Sequence, residues 1–389
     1  MRLGIIRQRY TPYGGAERFV EAALEALLER SIAITLYTRS WPQTRLQLIE
    51  PVLCNPPYVG RLWRDKSFAR AVCEKIARAP PELVQSHERL LCCDVFRAGD
   101  GVHQVYLEER LRDASPLARR LLEWSPYHRY VLDIERRLFA SPALRAVICN
   151  SKMVKDEVRD RFGFAEERIH VVYNAVDSDD YSPRLAEQRA AVRSRLSIPE
   201  DATAFLLVGS GYARKGVARA IAALARVPGK PRLLVVGRDK APGRYRRLAH
   251  ELGVAERVTL LGPQDDPRPF FGAADAFVLP TFYDPCPNAA LEAMACALPV
   301  VTSTKCGAAE LVLEHDAGFV CPAGDVASLA WHMTTLTDAA ARATLGTRAR
   351  EAVLPFTPAA MTLKLVLLYR DLLAEAHAAG HAAPKAAAH

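Results

Sequence analysis

Three short segments carry residue types suited to gripping an anion and a sugar. Tyr13-Gly14-Gly15-Ala16-Glu17 sets two glycines at the start of an amphipathic stretch. Paired glycines let the backbone approach a ligand closely, and free N–H groups at a helix start attract phosphate. Gly-Gly ahead of a helix is also often a plain turn, and the Gly-x-Gly-x-x-Gly spacing of a dinucleotide fingerprint is absent. Val208-Gly209-Ser210-Gly211-Tyr212-Ala213-Arg214-Lys215-Gly216 presents two cations where a helix over 215–226 is expected to begin. A guanidinium offers a planar fork and an ammonium a compact charge, so Arg214 and Lys215 together would neutralise much of a diphosphate. A solvated helix start is the plainer reading. However, cations at a helix N-terminus oppose its dipole, which favours a ligand there. Asp284-Pro285-Cys286-Pro287-Asn288-Ala289-Ala290-Leu291-Glu292 places one carboxylate in a loop and another two turns into the following helix. Both can then face one cleft, one on sugar hydroxyls and the other on a ribose.

The elements that must position these segments alternate strand and helix. Strands are expected at 3–6, 32–37, 83–86, 95–98, 146–149 and 169–173, with a helix over 16–29 completing the first βαβ unit. Ser115-Pro116, Ser125-Pro126 and Ser141-Pro142 each read as an N-cap followed by Pro at the first helical position, so the stretch between is several helices. After Asn174-Ala175-Val176-Asp177 a polar, Asp-rich segment and a helix near 186–196 read as a linker and the entry to a second half. That half runs through strands at 204–209, 232–237, 258–261, 276–279 and 299–302, with helices between. Such alternation means an α/β fold with parallel sheets covered on both faces, here two Rossmann-like domains with ligands bound between their strand C-termini. The boundaries expected are residues 1–175 for the first domain, 176–355 for the second, 356–375 for a terminal helix packing back toward the first, and 376–389 for a disordered tail.

Composition narrows the setting. With 389 residues, half of them apolar or aromatic, the chain can bury two cores. Its nine cysteines are an odd number without a Cys-x-x-Cys pair, which argues against a disulfide framework or zinc site and for small buried hydrophobes in a reducing compartment. Arg7 and Arg9 interrupt the N-terminus before a signal peptide could form, and no run of transmembrane length is evident. The expectation is a cytoplasmic protein. Residues 1–170 hold 28 Lys and Arg against 22 Asp and Glu, which is +6 of the total +8, so the first half faces something anionic or simply carries solvated charge. The basic residues are not interleaved with aromatics in a nucleic-acid motif, so no nucleic-acid partner is expected. The basic stretches 61–78 and 110–137, the second with Trp124, Tyr127 and Tyr130, suit peripheral contact with an anionic membrane, although acidic neighbours reduce it. Asp177-Ser178-Asp179 spells the Asp-x-Asp of metal-dependent transferases but falls in the linker. Glu310 either lines the cleft or caps a helix.

The order of Gly-Gly loop, Arg-Lys loop, and acid-x7-Glu followed by Ala293-Met294-Ala295-Cys296-Ala297-Leu298-Pro299 resembles the retaining glycosyltransferases of family four, over nearly the whole chain. Tyr10-Thr11-Pro12 and Val217-Ala218-Arg219-Ala220-Ile221 add a likeness to lipopolysaccharide core glucosyltransferases. The resemblance implies a GT-B fold and transfer of a hexose from UDP-glucose or a related UDP-hexose to a glycan or lipid-linked acceptor. It also implies retention of configuration, no metal and no cofactor besides the donor, at the inner face of the cytoplasmic membrane. By it Gly14 and Gly15 meet the diphosphate, Arg214 and Lys215 hold its oxygens, Asp284 holds sugar hydroxyls and Glu292 the ribose. Cys286, Asn288, Ala289 and His103 join the donor-binding set. Asp100 joins Arg214, Lys215 and Asp284 as a catalytic candidate, with a structural loop role open for Asp100 and His103. The chain departs from the family where Glu usually stands at Asp284 and Gly at Pro287, which bears on sugar identity. A sugar-nucleotide epimerase of the same architecture, or a non-catalytic nucleotide-sugar-binding protein, is the alternative.

Overall fold

A computed structural model describes residues 2–9, 32–41, 51–112 and 114–378. The helix expected over 16–29, with Gly14 and Gly15, lies outside the described residues. The described chain forms two compact units: residues up to Asn174 with the segment from Pro358, and Ala175–Thr357.

In the first unit seven parallel strands are β1 (Arg2–Ile6), β2 (Ala33–Thr38), β3 (Pro51–Leu53), β4 (Leu83–Ser86), β5 (Val95–Arg97), β6 (Ala146–Cys149) and β7 (Ile169–Val171). They pair in the order β3-β2-β1-β4-β5-β6-β7. Leu3, Ile5, Leu83, Val84, Val95, Val147 and Ile148 are fully or almost fully buried, as a parallel sheet with both faces covered requires. Its helices are α1 (Gly60–Arg78), α2 (His103–Arg112), α3 (Pro116–Glu123), α4 (Pro126–Phe139) and α5 (Lys152–Phe162). Ser115 and Ser125 cap α3 and α4 as the Ser-Pro pairs predict, their hydroxyls accepting from the N–H groups of Ala118 and His128.

The second unit carries β8 (Ala204–Val208), β9 (Arg232–Val236), β10 (Val258–Gly262), β11 (Ala276–Leu279), β12 (Val300–Ser303) and β13 (Gly318–Cys321), ordered β10-β9-β8-β11-β12-β13 and all parallel. Its helices are α6 (Arg189–Arg195), α7 (Tyr212–Lys215), α8 (Val217–Leu224), α9 (Gly243–Glu251), α10 (Arg268–Ala273), α11 (Asn288–Ala295), α12 (Ala309–Glu314), α13 (Val326–Thr335) and α14 (Ala339–Val353). The segment read as a linker belongs to this unit. Buried Arg193 on α6 donates to Asp275 at 3.2 Å and to the Pro199 carbonyl at 2.6 Å, and Gly272 of α10 lies against the Leu185 carbonyl. The Asp-x-Asp segment is a turn, since Asp177 Oδ1 accepts from the N–H groups of Asp179 and Asp180 at 3.0 Å.

The chain ends on α15 (Pro358–Ala378) in the first unit, where Tyr369 Oη donates to Gln85 Oε1 of β4 at 2.6 Å. Contrary to the sequence expectation, residues 339–378 include a helical stretch long and apolar enough to cross a membrane by length and composition. Met361, Leu365, Val366, Leu368, Tyr369 and Leu372 of α15 are nevertheless buried within the fold. A second correction concerns sulfur: Cys73 and Cys92 form a disulfide, while the remaining seven cysteines are buried thiols. Neither Cys lies in a motif, so only the packing of α1 beside the β4–β5 segment brings them together.

Candidate active site

In an open parallel sheet, ligands bind beyond the strand C-termini where the strand order reverses. In the second unit that point lies between β8 and β11, and it gathers the Arg-Lys and Asp-x7-Glu segments. Gly209, Gly211 and Gly216 adopt positive φ there. Gly209 leaves room for the aliphatic stem of Lys215, and Gly216 abuts the Pro280 carbonyl. The helix expected over 215–226 is therefore two, α7 and α8, broken at Gly216 by its left-handed backbone. Arg214 and Lys215 close α7 and directly precede Gly216, the N-cap of α8, so they do stand at a helix N-terminus, as the sequence reading has it. Tyr212 anchors this turn, its N–H donating to Asp239 and its hydroxyl to the Gly237 carbonyl, both at 2.8 Å.

The two loops are stitched together. The Arg214 carbonyl accepts from the Phe282 N–H at 3.1 Å and the Thr281 hydroxyl at 2.8 Å. Arg214 Nη1 and Lys215 Nζ then converge on one oxygen, Asp284 Oδ2, at 2.7 and 2.6 Å. Arg214 also donates to the Tyr283 carbonyl at 3.3 Å. Burial by itself would raise the Asp284 carboxyl, but Lys215 and then Arg214 hold it below the ordinary aspartate value. Asp284 is thus the shared counter-ion of the two cations, where the sequence separated a sugar-binding acid from a phosphate-binding pair. Its backbone is held as firmly, with N–H donating to Lys305 and C=O accepting from Gly307.

Glu292 is buried in α11, and the nearby Cys296 thiol is pushed up to about 12 by burial and then by Glu292. Cys286 is buried, whereas Asn288 and Ala289 are half-buried at the start of α11. Pro287 precedes the helix without a side-chain cap. Glu310 falls in the first turn of α12.

The first unit has its own switch point, between β1 and β4. A pocket of about 270 Å³ opens there, lined by Arg7, Gln8, Asp65, Glu88, Arg89 and Asp100 among others, with His103, Tyr127 and Tyr130. Arg7 pairs with Glu88 at 3.4 Å and Arg64 with Asp65 at 2.7 Å. Asp100 is exposed at the end of the β5 loop. His103 begins α2, and its N–H donates to both oxygens of buried Glu135 of α4 at 2.9 and 3.1 Å. Glu135 also pairs with Arg89 at 2.9 Å, so one carboxylate orients two pocket residues. Burial, and then the Arg89 guanidinium, push the His103 ring down to about 3; burial and Arg61 push His128 down to about 4. Both rings are neutral at pH 7, with His103 Nε2 and His128 Nδ1 3.0 Å apart. Asp65, Arg89 and Glu135 carry no sequence signal of their own. The strand ends flag Arg7 and Glu88, and only the packing of α1 and α4 adds the others.

Two family models account for most of the chain, Glycosyltransferase Family 4 over residues 13–180 and the group 1 glycosyl transferases over 202–339. A D-inositol 3-phosphate glycosyltransferase of Acidothermus cellulolyticus is 30% identical over an alignment of 399 positions, gaps included, covering 93% of this chain and 86% of its own. The chain belongs to glycosyltransferase family 4. The lipopolysaccharide glucosyltransferase WaaG of Escherichia coli K12 is 27% identical to this glycosyltransferase over 318 residues, 80% of this chain and 83% of WaaG. The WaaG crystal structure superposes with a TM-score of 0.80 at 23% identity, covering 93% of this chain and 98% of that one. Anabaena HepE, solved with UDP and glucose, gives 0.71 at 20% identity over 95% and 100%. The fold of the glycosyltransferase is accordingly GT-B, two Rossmann-like domains. These matches are to glycosyltransferases and leave the epimerase and non-catalytic readings without support.

Proposed function

We propose that this glycosyltransferase moves a hexose from a UDP-sugar to a hydroxyl of a lipopolysaccharide-core or other glycan acceptor, with retention of configuration and without a metal. The observation that carries the reading is the convergence of Arg214 and Lys215 on Asp284 at the β8–β11 switch point. A guanidinium has five N–H donors and an ammonium three, so one shared carboxylate oxygen takes a minority of them. The two cations are held in place to receive charge as it builds on the departing diphosphate, the role a divalent cation plays elsewhere. Asp284, fixed as an anion, accepts from a donor-sugar hydroxyl, and Glu292 from the ribose. The family resemblance assigns Gly14 and Gly15, which lie outside the described residues, to the donor diphosphate as well. Cys286, Asn288 and Ala289 form the donor-side wall.

The pocket lined by Asp100 and His103 takes a sugar, read here as the acceptor. Its ion-paired arginines, carboxylates and tyrosines interleave donors and acceptors, which suits a polyhydroxyl ring. WaaG, by its name, acts in lipopolysaccharide synthesis, and HepE was solved with UDP and glucose; both favour a UDP-hexose and a glycan acceptor here. Helix α3 supports a place at an anionic membrane at the cytoplasmic face. None of its residues is buried, and Leu117, Leu121 and Trp124 are exposed beside Arg119, Arg120 and Arg129.

The test is an assay of UDP release from UDP-glucose and other nucleotide sugars, with core-oligosaccharide acceptor free or on anionic vesicles, and with or without EDTA. Product NMR reads the anomeric configuration. Retention, EDTA insensitivity and acceptor-dependent UDP release are expected; inversion, or loss of turnover in EDTA, would sink the corresponding part.

A further inference from the structure

Cys73 lies on α1 and Cys92 on the segment joining β4 to β5, 19 residues apart in sequence with their Cα atoms 5.7 Å apart across the bond. Both are half-buried, whereas Cys54, Cys93, Cys149, Cys286, Cys296, Cys306 and Cys321 are buried thiols. Thiol–disulfide exchange needs an attacking thiolate to reach sulfur, so of all the cysteines this pair is the one open to it. In a reducing compartment, the disulfides that form are mostly transient, catalytic or redox-sensing.

The position of the bond gives it a consequence. Asp65, Phe68 and Ala69 of α1 line one side of the first-unit pocket, and Glu88, Arg89 and Leu90 line another. Cys73 stands one helical turn beyond Ala69, and Cys92 two residues beyond Leu90. The disulfide therefore bolts together the two elements whose spacing sets the width of the pocket. Other contacts keep α1 in place without it: Phe68, Val72 and Ile76 are buried, Gln8 donates to Asp65 at 3.2 Å, and Arg39 donates to the Arg64 carbonyl at 2.6 Å.

We propose that Cys73 and Cys92 form a reversible redox modification site that holds the two pocket walls at fixed spacing when oxidised and lets them move apart when reduced. A small thiol such as glutathione, as its thiolate, attacks one sulfur and forms a mixed disulfide, and the released protein thiolate takes up a proton. A second thiol resolves the mixed disulfide, leaving two protein thiols and one molecule of oxidised glutathione. Two electrons and two protons have then passed to the protein, and oxidised glutathione drives the reverse. The effect on turnover rests on the reading of this pocket as the acceptor site, whereas the redox chemistry and the loosening do not.

The full chain is equilibrated in glutathione buffers from fully reduced to fully oxidised, trapped by alkylation and mapped by peptide mass spectrometry, with hydrogen exchange followed in parallel. Cys73 and Cys92 should interconvert between alkylated and linked forms while the other seven stay alkylated only after unfolding. Exchange over 60–78 and 87–94 should rise at least threefold on reduction. Cys73→Ser and Cys92→Ser should each show the reduced pattern in every buffer. The proposal is overturned by thiols that remain alkylatable in oxidised buffer, by a bond that survives reducing buffer in the folded protein, or by wall exchange that ignores the redox state. If the walls respond and acceptor KM does not, the redox site stands and the acceptor assignment of the pocket falls.

Discussion

At the scale of single residues, the decisive contact is Asp284 with two cations. Lys215 is 7% exposed and Asp284 6%, so neither can trade its partner for water, whereas Arg214 is about a third exposed and can. Breaking a buried pair by removing one charge is destabilising by about 3–5 kcal/mol, and the partial exposure of Arg214 brings the expectation for Asp284→Asn to about 2–4 kcal/mol at pH 7. The folded carboxyl lies below its ordinary value, so its stabilisation is present above the unfolded aspartate pKa of about 3.9 and is lost as pH falls through the folded value. Urea unfolding of wild type and Asp284→Asn should thus differ at pH 7 and converge in acid; a gap that persists in acid would mean the charge is not the cause. Turnover should fall at least a hundredfold in the variant, because the cations lose their fixed placement. The residue types of this site were legible in the sequence. Their partnership was not, because Arg214 and Asp284 are 70 positions apart and meet only across the β8–β11 switch.

At the scale of elements, glycine conformation decides where the cations sit. A Cβ on Gly216 would lie 2.0 Å from the Pro280 carbonyl oxygen, at φ 78°, whereas one on Gly229 at the same φ meets nothing within 4 Å. Gly216→Ala should therefore cost well over about 1 kcal/mol and nearly abolish transfer by parting α7 from the 280–287 loop. Gly229→Ala should carry the backbone strain alone, about 1 kcal/mol, with transfer intact. Equal activities in the two variants would refute the role given to the close approach. The same physics explains what sequence periodicity overlooked. Strand β13 begins with Gly318, which reads as a breaker, yet a Cβ there would collide with the Val300 carbonyl, so only glycine lets β13 lie beside β12. Strand β3 is three residues long and starts with proline, which is acceptable at the sheet edge where it lies but weak as a signal.

At the scale of the whole molecule, the chain leaves its first unit at Asn174 and returns to it at Pro358. Helix α15 buries Met361, Leu365, Val366, Tyr369 and Leu372, each contributing on the order of 1.5–3 kcal/mol, a sum comparable to the whole stability of a domain. A chain ending at residue 357 should lose protection throughout the first unit while Ala175–Thr357 keeps native hydrogen-exchange rates. Protected amides in β1 and β4 of the truncated protein would contradict this.

Local pattern was enough to determine the alternation of strand and helix, the Ser-Pro caps, and the segments that carry Arg214, Lys215, Asp284 and Glu292, because helical and strand periods and turn chemistry act over a few residues. The tertiary structure alone decided that one carboxylate serves both cations, that Glu135 orients His103 and Arg89, and that Cys73 meets Cys92. Each of these depends on which distant surfaces become neighbours once apolar faces are buried, and that is settled by the packing of the whole chain.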